Sequence, residues 1–115
     1  MSEKKKITKK ELKRLEKRER NRKDKEWRLL VKDRDGDACV ICKDPVRVNV
    51  HHIIPREFKG QRHNPDNGIC LCSKHHQFSR EISAHNNPLK FVLWMQENRP
   101  EQLKRLIESE KERVD

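Results

Sequence analysis

A small α+β domain is predicted, built as strand, loop, strand and short helix around a structural zinc knuckle, with a long basic helix before it and further helices after it. Three observations lead there. The chain has 115 residues, of which 31% are hydrophobic and 42% charged. That is too little apolar material for a large core, and small domains of this kind lean on a metal, disulfides or a partner. Two metal-ligand pairs, Cys39-x-x-Cys42 and Cys72-x-x-His75, stand 29 intervening residues apart. Around them, VRVNVHHII and GICLC read as strands amid segments with helical patterning.

The elements follow in order. MSEKKKI is expected to be disordered. Thr8-Lys9-Lys10-Glu11 fits a capping box, and from there to about Arg34 no Pro or Gly interrupts strong helix formers. Apolar residues are sparse before Trp27, so residues 8–26 should be a solvated, charged helix or frayed arm. Trp27, Leu30 and Val31 share one helical face and should begin the packed domain, with Trp27 acting as plain packing. Gly36 is the natural left-handed cap. CVICKDP is a tight turn, PREFKGQRHNPDN a polar loop, and SKHHQFSREIS a short helix with Ser73 near its N-cap. Asn87 and Pro88 open another helix with Leu89, Val92, Leu93 and one of Trp94 or Met95 on its apolar face. Pro100 restarts a last helix with Leu103, Leu106 and Ile107 on one side.

Charge is uneven. The formal net charge is +10, and residues 1–34 carry 16 Lys+Arg against 7 Asp+Glu. A basic arm of this kind suits a phosphate backbone, where binding gains from counterion release. Lys9, Lys10, Lys13, Arg14, Lys17 and Arg18 are the expected contacts; a solvated helix that aids solubility is the plainer explanation. No apolar run is long enough to span a membrane, and no apolar stretch follows the first lysines, so neither a membrane protein nor a secreted one is expected. Four cysteines in a reducing compartment are then metal ligands sooner than disulfides.

Zinc takes four soft or borderline ligands in a tetrahedron, and a two-residue gap lets one turn present two of them. Cys39, Cys42, Cys72 and His75 supply that set for a closed, structural Zn(II) site. Cys70 is spare and is read as a small apolar residue. His51, His52 and His76 remain beside this scaffold. On a helix, adjacent His75 and His76 diverge by about 100° and can serve different sites.

VHHIIP, DNGICLC and CSKHH, in that order after a CxxC, resemble the HNH endonuclease family with its ββα-metal (His-Me finger) fold. The likeness covers residues 27 to 100. His75 stands where the family often has cysteine, and Gly68 where a leucine is expected. The resemblance implies that His51 is a ligand of a catalytic divalent metal and His52 the general base. It implies that Asn67, rather than Asn64, holds the base and its loop, and that His76 is the second metal ligand. A further ligand one turn on in some relatives is replaced by Arg80, a candidate phosphate contact. His85 is a weaker candidate for approach to this site, and His63 has no visible role.

The expected organisation is a basic arm over 1–26, helical or partly disordered, an HNH domain over 27–100 and a charged C-terminal helix over 101–115. The expected function is metal-dependent hydrolysis of DNA phosphodiester bonds with Mg(II), Mn(II) or Ni(II), in the cytoplasm of a bacterial or phage-infected cell. A non-catalytic zinc-stabilised nucleic-acid-binding module, or a small component with a protein partner in a phage or restriction complex, are the rivals. Adjacent strand residues point to opposite faces, so the first strand is expected to end or bend at His51 and His52.

Overall fold

The computed structural model describes residues 6–78 and 82–114. A 27-residue helix α1 (Lys9–Asp35) leads into strand β1 (Val48–His52). A one-turn helix α2 (Lys59–Arg62) and a 3-10 turn (Pro65–Asn67) follow, then strand β2 (Gly68–Cys72). A wide π-helical turn (Lys74–Phe78) precedes helices α3 (Pro88–Asn98) and α4 (Pro100–Glu112). Residues 1–5 of the expected disordered start and residues 79–81 of the expected short helix lie outside the described residues.

Local chemistry sets the ends of α1. The Thr8 hydroxyl accepts the Glu11 amide at 3.1 Å, satisfying one orphan donor of the first turn. Gly36 closes the helix at φ 73°, a left-handed conformation that other residues adopt at a cost. The helix is continuous from the basic arm into the packed region, with no break at residue 26. Of its face, Trp27 and Val31 are buried, whereas Leu30 is 57% exposed, contrary to expectation. The buried pair lies at i, i+4 over the hairpin, and Leu30 sits about 60° round from Trp27 on the solvent side.

β1 and β2 form a two-stranded antiparallel sheet in which His51 faces Ile69 and His52 faces Gly68. Both sides are covered. Val48, Val50 and Cys70 pack on Trp27 and Val31, while Ile69 and Leu71 pack on Phe91 and Met95 of α3. Burial on two faces is why β2 reads as an unbroken apolar run. Cys70 and Cys72, two apart, share strand parity; Cys70 is set aside because it packs against α1, with its amide donating to Asp35 at 3.0 Å. The Asp35 carboxylate is fully buried between Arg34 and Arg99. Burial opposes its charge, but the arginines and the Cys70 amide outweigh it and hold the carboxyl below its usual range.

The apolar face of α3 is only partly the expected one: Met95 lies on it, buried with Phe91, but Leu89, Val92 and Leu93 are exposed. Asn87 caps the helix through the Lys90 amide at 3.2 Å, as its sequence suggests. On α4, Leu106 is buried and Leu103 packs on the core, but Ile107 faces solvent. Its place is taken by Gln102, buried, which donates to the Asp66 and Gly68 carbonyls at 3.0 Å each. These bonds, with Arg105 paired to Asp66, fasten α4 to the turn that precedes β2. Among the described residues no helix is long and apolar enough to cross a membrane.

Candidate functional site

Among the described residues, two groups of metal-competent side chains flank the hairpin. In the first, one donor atom from each of Cys39, Cys42, Cys72 and His75 lies within 4.8 Å of every other. The Cys42 and Cys72 sulfurs are 3.7 Å apart, and His75 Nδ1 stands 3.6 Å from Cys39 Sγ and 3.3 Å from Cys72 Sγ. A tetrahedral zinc with ordinary bond lengths separates two sulfurs by about 3.8 Å and a sulfur from a nitrogen by about 3.6 Å. The donor set fits that ion. The turn that delivers it is held by Lys43 N–H to the Cys39 carbonyl at 2.7 Å, with Lys43 at φ 64°. Burial works against a Cys39 thiolate, but the amides of Cys42, Cys72 and Ile41 outweigh it and lower the thiol below its usual range. Cys70, by contrast, is pushed up to about 11 by burial and by the nearby Asp35 charge.

The second group is His51, His76 and His85, with ring nitrogens again within 4.8 Å of one another. His51 leaves β1 on the α3 side, its ring 4.7 Å from that of His76 and 5.3 Å from that of His85. His76 and His85 bring their Nε2 atoms to 2.9 Å. Two ligands at about 2.1 Å from one ion and about 90° apart would be separated by about 3.0 Å, so the His76 and His85 nitrogens are spaced as ligands of one divalent ion, with a His51 nitrogen within 4.8 Å of each. Burial first, then the facing His76 and His85, pushes His51 down to about 3. His76 is lowered mainly by burial and then by His85. Neutral imidazoles are the form that ligates metal.

The sequence alone ranked His85 low. It reaches the cluster because backbone bonds from Ala84 N–H to the His75 carbonyl and from His85 N–H to the His76 carbonyl fold this connector back on the π-helical turn. Nothing in the spacing of AHNN signals that return. Arg80, the candidate phosphate contact, lies outside the described residues.

His52 is placed differently. It is the last residue of β1 and remains in register, so the strand ends at the histidine pair but bends only after it. Its ring turns to the α1 side, stacked on the Trp27 indole with centroids 3.9 Å apart and planes 10° apart. Its Nε2 lies 3.0 Å from the Arg62 carbonyl oxygen. A carbonyl can only accept, so Nε2 carries the proton and Nδ1 presents its lone pair. Burial holds the ring's pKa below the ordinary value, against the Arg62 carbonyl bond that raises it.

Asn67 is wholly buried and spans the loop after His52. Its Oδ1 accepts the Ile54 amide at 2.6 Å, and its Nδ2 donates to the Ile54 and Gln61 carbonyls at 3.0 Å each. Asn64 instead caps the 3-10 turn through Asp66 N–H. Asp24 of α1 grips the far side of the loop, at 2.8 Å from Arg62 and 2.7 Å from His63. That ion pair, Arg62 foremost, keeps the Asp24 carboxyl well below its usual range, and it gives His63 a partner that the sequence did not suggest.

Packing against α1 accounts for Gly68 standing where a leucine is expected. A Cβ there would lie 2.4 Å from Val31 Cγ2 and 2.7 Å from the Trp27 ring. The indole occupies the space a side chain would need.

Neither the curated proteins nor the solved structures yield a match to the chain. Residues 39–80, which hold both strands, all four donors of the first cluster and two of the three histidines of the second, match the family described as HNH endonuclease. Over that segment the chain is similar to HNH endonucleases, a nuclease-type domain, and the segment carries side chains able to hold a metal.

Proposed function

We propose that the protein is an endonuclease that hydrolyses DNA phosphodiester bonds, with His52 as general base and a divalent ion held by His51 and His76, His85 supplying a third nitrogen. The observation that carries this reading is the bond from His52 Nε2 to the Arg62 carbonyl. It leaves Nδ1 unprotonated on a neutral ring, one residue from the three-histidine cluster. Such a group can take a proton from water near neutral pH as the water oxygen attacks phosphorus. A divalent ion at the cluster, when bound, would supply charge stabilisation for the scissile phosphate and the leaving 3′-oxygen. An all-nitrogen donor set favours Mn(II) or Ni(II) over Mg(II), which prefers oxygen.

Because His51 and His52 leave β1 on opposite faces, the scissile phosphate in this reading lies across the strand end, within reach of both. Asn67 acts at one remove, by tying the backbone that follows His52. Lys9, Lys10, Lys13, Arg14, Lys17 and Arg18 are all exposed on α1 and are suited to phosphate contacts further along the duplex. Arg80 would join them. The closed first cluster is the structural Zn(II) site, since four protein donors leave no position for substrate.

The test is nicking of supercoiled plasmid with Mg(II), Mn(II) or Ni(II). Wild type should convert it to open circle, and His52→Ala should be slower by about 100-fold or more while keeping its bound metals. An inactive wild type in every metal, or an undiminished His52→Ala, removes the enzyme reading and leaves a zinc-stabilised binding module.

A further inference from the structure

Helix α1 does more at this site than carry positive charge. Trp27 is 2% exposed, and it lies against the ring of His52 at stacking distance and nearly parallel to it. Three contacts fix the indole in that plane. Its Nε1–H donates to the Asn64 carbonyl at 2.8 Å. Its six-membered ring sits over the bare backbone of Gly68, the cross-strand partner of His52. Val31, one turn on, fills the other side of the same gap. Asp24, one turn earlier, holds Arg62, whose carbonyl accepts the hydrogen bond from His52 Nε2–H.

An imidazole on a strand end has two rotatable bonds. The Arg62 carbonyl sets one point on the ring, and a single hydrogen bond leaves rotation about its own axis open. A flat surface pressed on the ring removes that freedom. From this geometry we propose that Trp27 is a positioning residue for His52: its indole is a backing plate that aims Nδ1. The proposal rests on the reading of His52 as the base. It makes α1 a part of the reaction site, tied there by Asp24 and Trp27, rather than an appended arm.

The full-length chain, with zinc bound, tests this through Trp27→Phe and Trp27→Leu. Both replacements shrink the core, so both should lower the melting temperature, and by similar amounts. Only phenylalanine keeps a flat ring. If Trp27 positions the base, Trp27→Leu should lower kcat for plasmid nicking by about tenfold or more with KM unchanged. Trp27→Phe should recover most of that loss. A second readout does not depend on activity. The carbon-bound proton resonances of the His52 ring, assigned by their loss in His52→Ala, should lie upfield from the aromatic ring current. They should stay upfield in Trp27→Phe and return to ordinary positions in Trp27→Leu. Equal rates for the two Trp27 variants, or ordinary resonances in wild type, overturn the positioning role alone. A wild type that cuts nothing while its His52 protons stay upfield overturns the base reading, and the positioning role falls with it.

Discussion

The four-donor cluster and the three-histidine cluster are built from adjoining residues and could hardly differ more in construction. His75 serves the first and its neighbour His76 the second, from one π-helical turn. In the first, Cys39, Cys72 and His75 are buried and joined by the exposed Cys42; in the second, His51 and His76 are half-buried and His85 is exposed. The first joins the turn after α1 to the end of β2 and uses sulfur, which binds zinc tightly. The second uses neutral nitrogen alone, on a surface that water and phosphate can reach. In the proposed reading, a metal at the first would hold the fold, and one at the second would keep coordination positions open for a ligand.

The strongest way to break that contrast is through the first cluster. Cys39→Ser should release zinc and lower stability by about 4 kcal/mol or more, the scale reserved for losing a metal from a small core. Metal analysis and chemical denaturation read both together. Retention of either would mean that the four donors do not hold the fold as described.

Next in size comes His76→Ala. Metal affinity at the histidine cluster should fall by about 100-fold or more, as expected when a ligand rather than a supporting partner is lost. Zinc content should be intact and stability should change by no more than about 1 kcal/mol. Calorimetry with Ni(II) on the zinc-loaded chain measures the affinity. If zinc leaves with the second metal, the shared turn couples the clusters and the contrast fails.

The smallest effect is a pH slope. His51 is held down to about 3 in the folded chain, mainly by burial, against about 6.5 when unfolded. Between those values the unfolded chain takes a proton that the folded chain refuses. Stability from this residue is therefore complete above pH about 6.5 and lost as pH falls towards 3, by up to about 1.4 kcal/mol per pH unit. His51→Asn should flatten that slope between pH 7 and 5.5 in urea denaturation without divalent metal added. Wild type and variant with equal slopes would show that the ring is not buried as described.

Legibility followed the range of the chemistry involved. Thr8, Gly36 and Asn87 were readable because a cap is settled within a few residues. The two strands and the Cys39, Cys42, Cys72 and His75 cluster were readable for a related reason: each half is a local pattern, and only the joining is long-range. Which helical face meets the core was not. Leu30, Leu89, Val92, Leu93 and Ile107 are as apolar as the residues that pack, but Phe91 and Gln102 sit where the hairpin and its turn are. Propensity and spacing cannot state that position. His85 and the stack of Trp27 on His52 were hidden in the same way, by chain reversals 9 and 25 residues long.

Gly68 has a consequence for how such a chain can change over generations. Trp27 and Gly68 are 41 positions apart in sequence, yet neither can be replaced freely while the other stays. Even an alanine at 68 collides with the indole. A lineage that places a bulky residue there must first shorten both Val31 and the aromatic on the helix, and during that interval the histidine at the strand end stands without its wall. The pair should therefore be inherited as a unit, and a tryptophan in the last turns of a basic leading helix, coupled to a glycine after the motif asparagine, is a signature by which kindred chains can be sought.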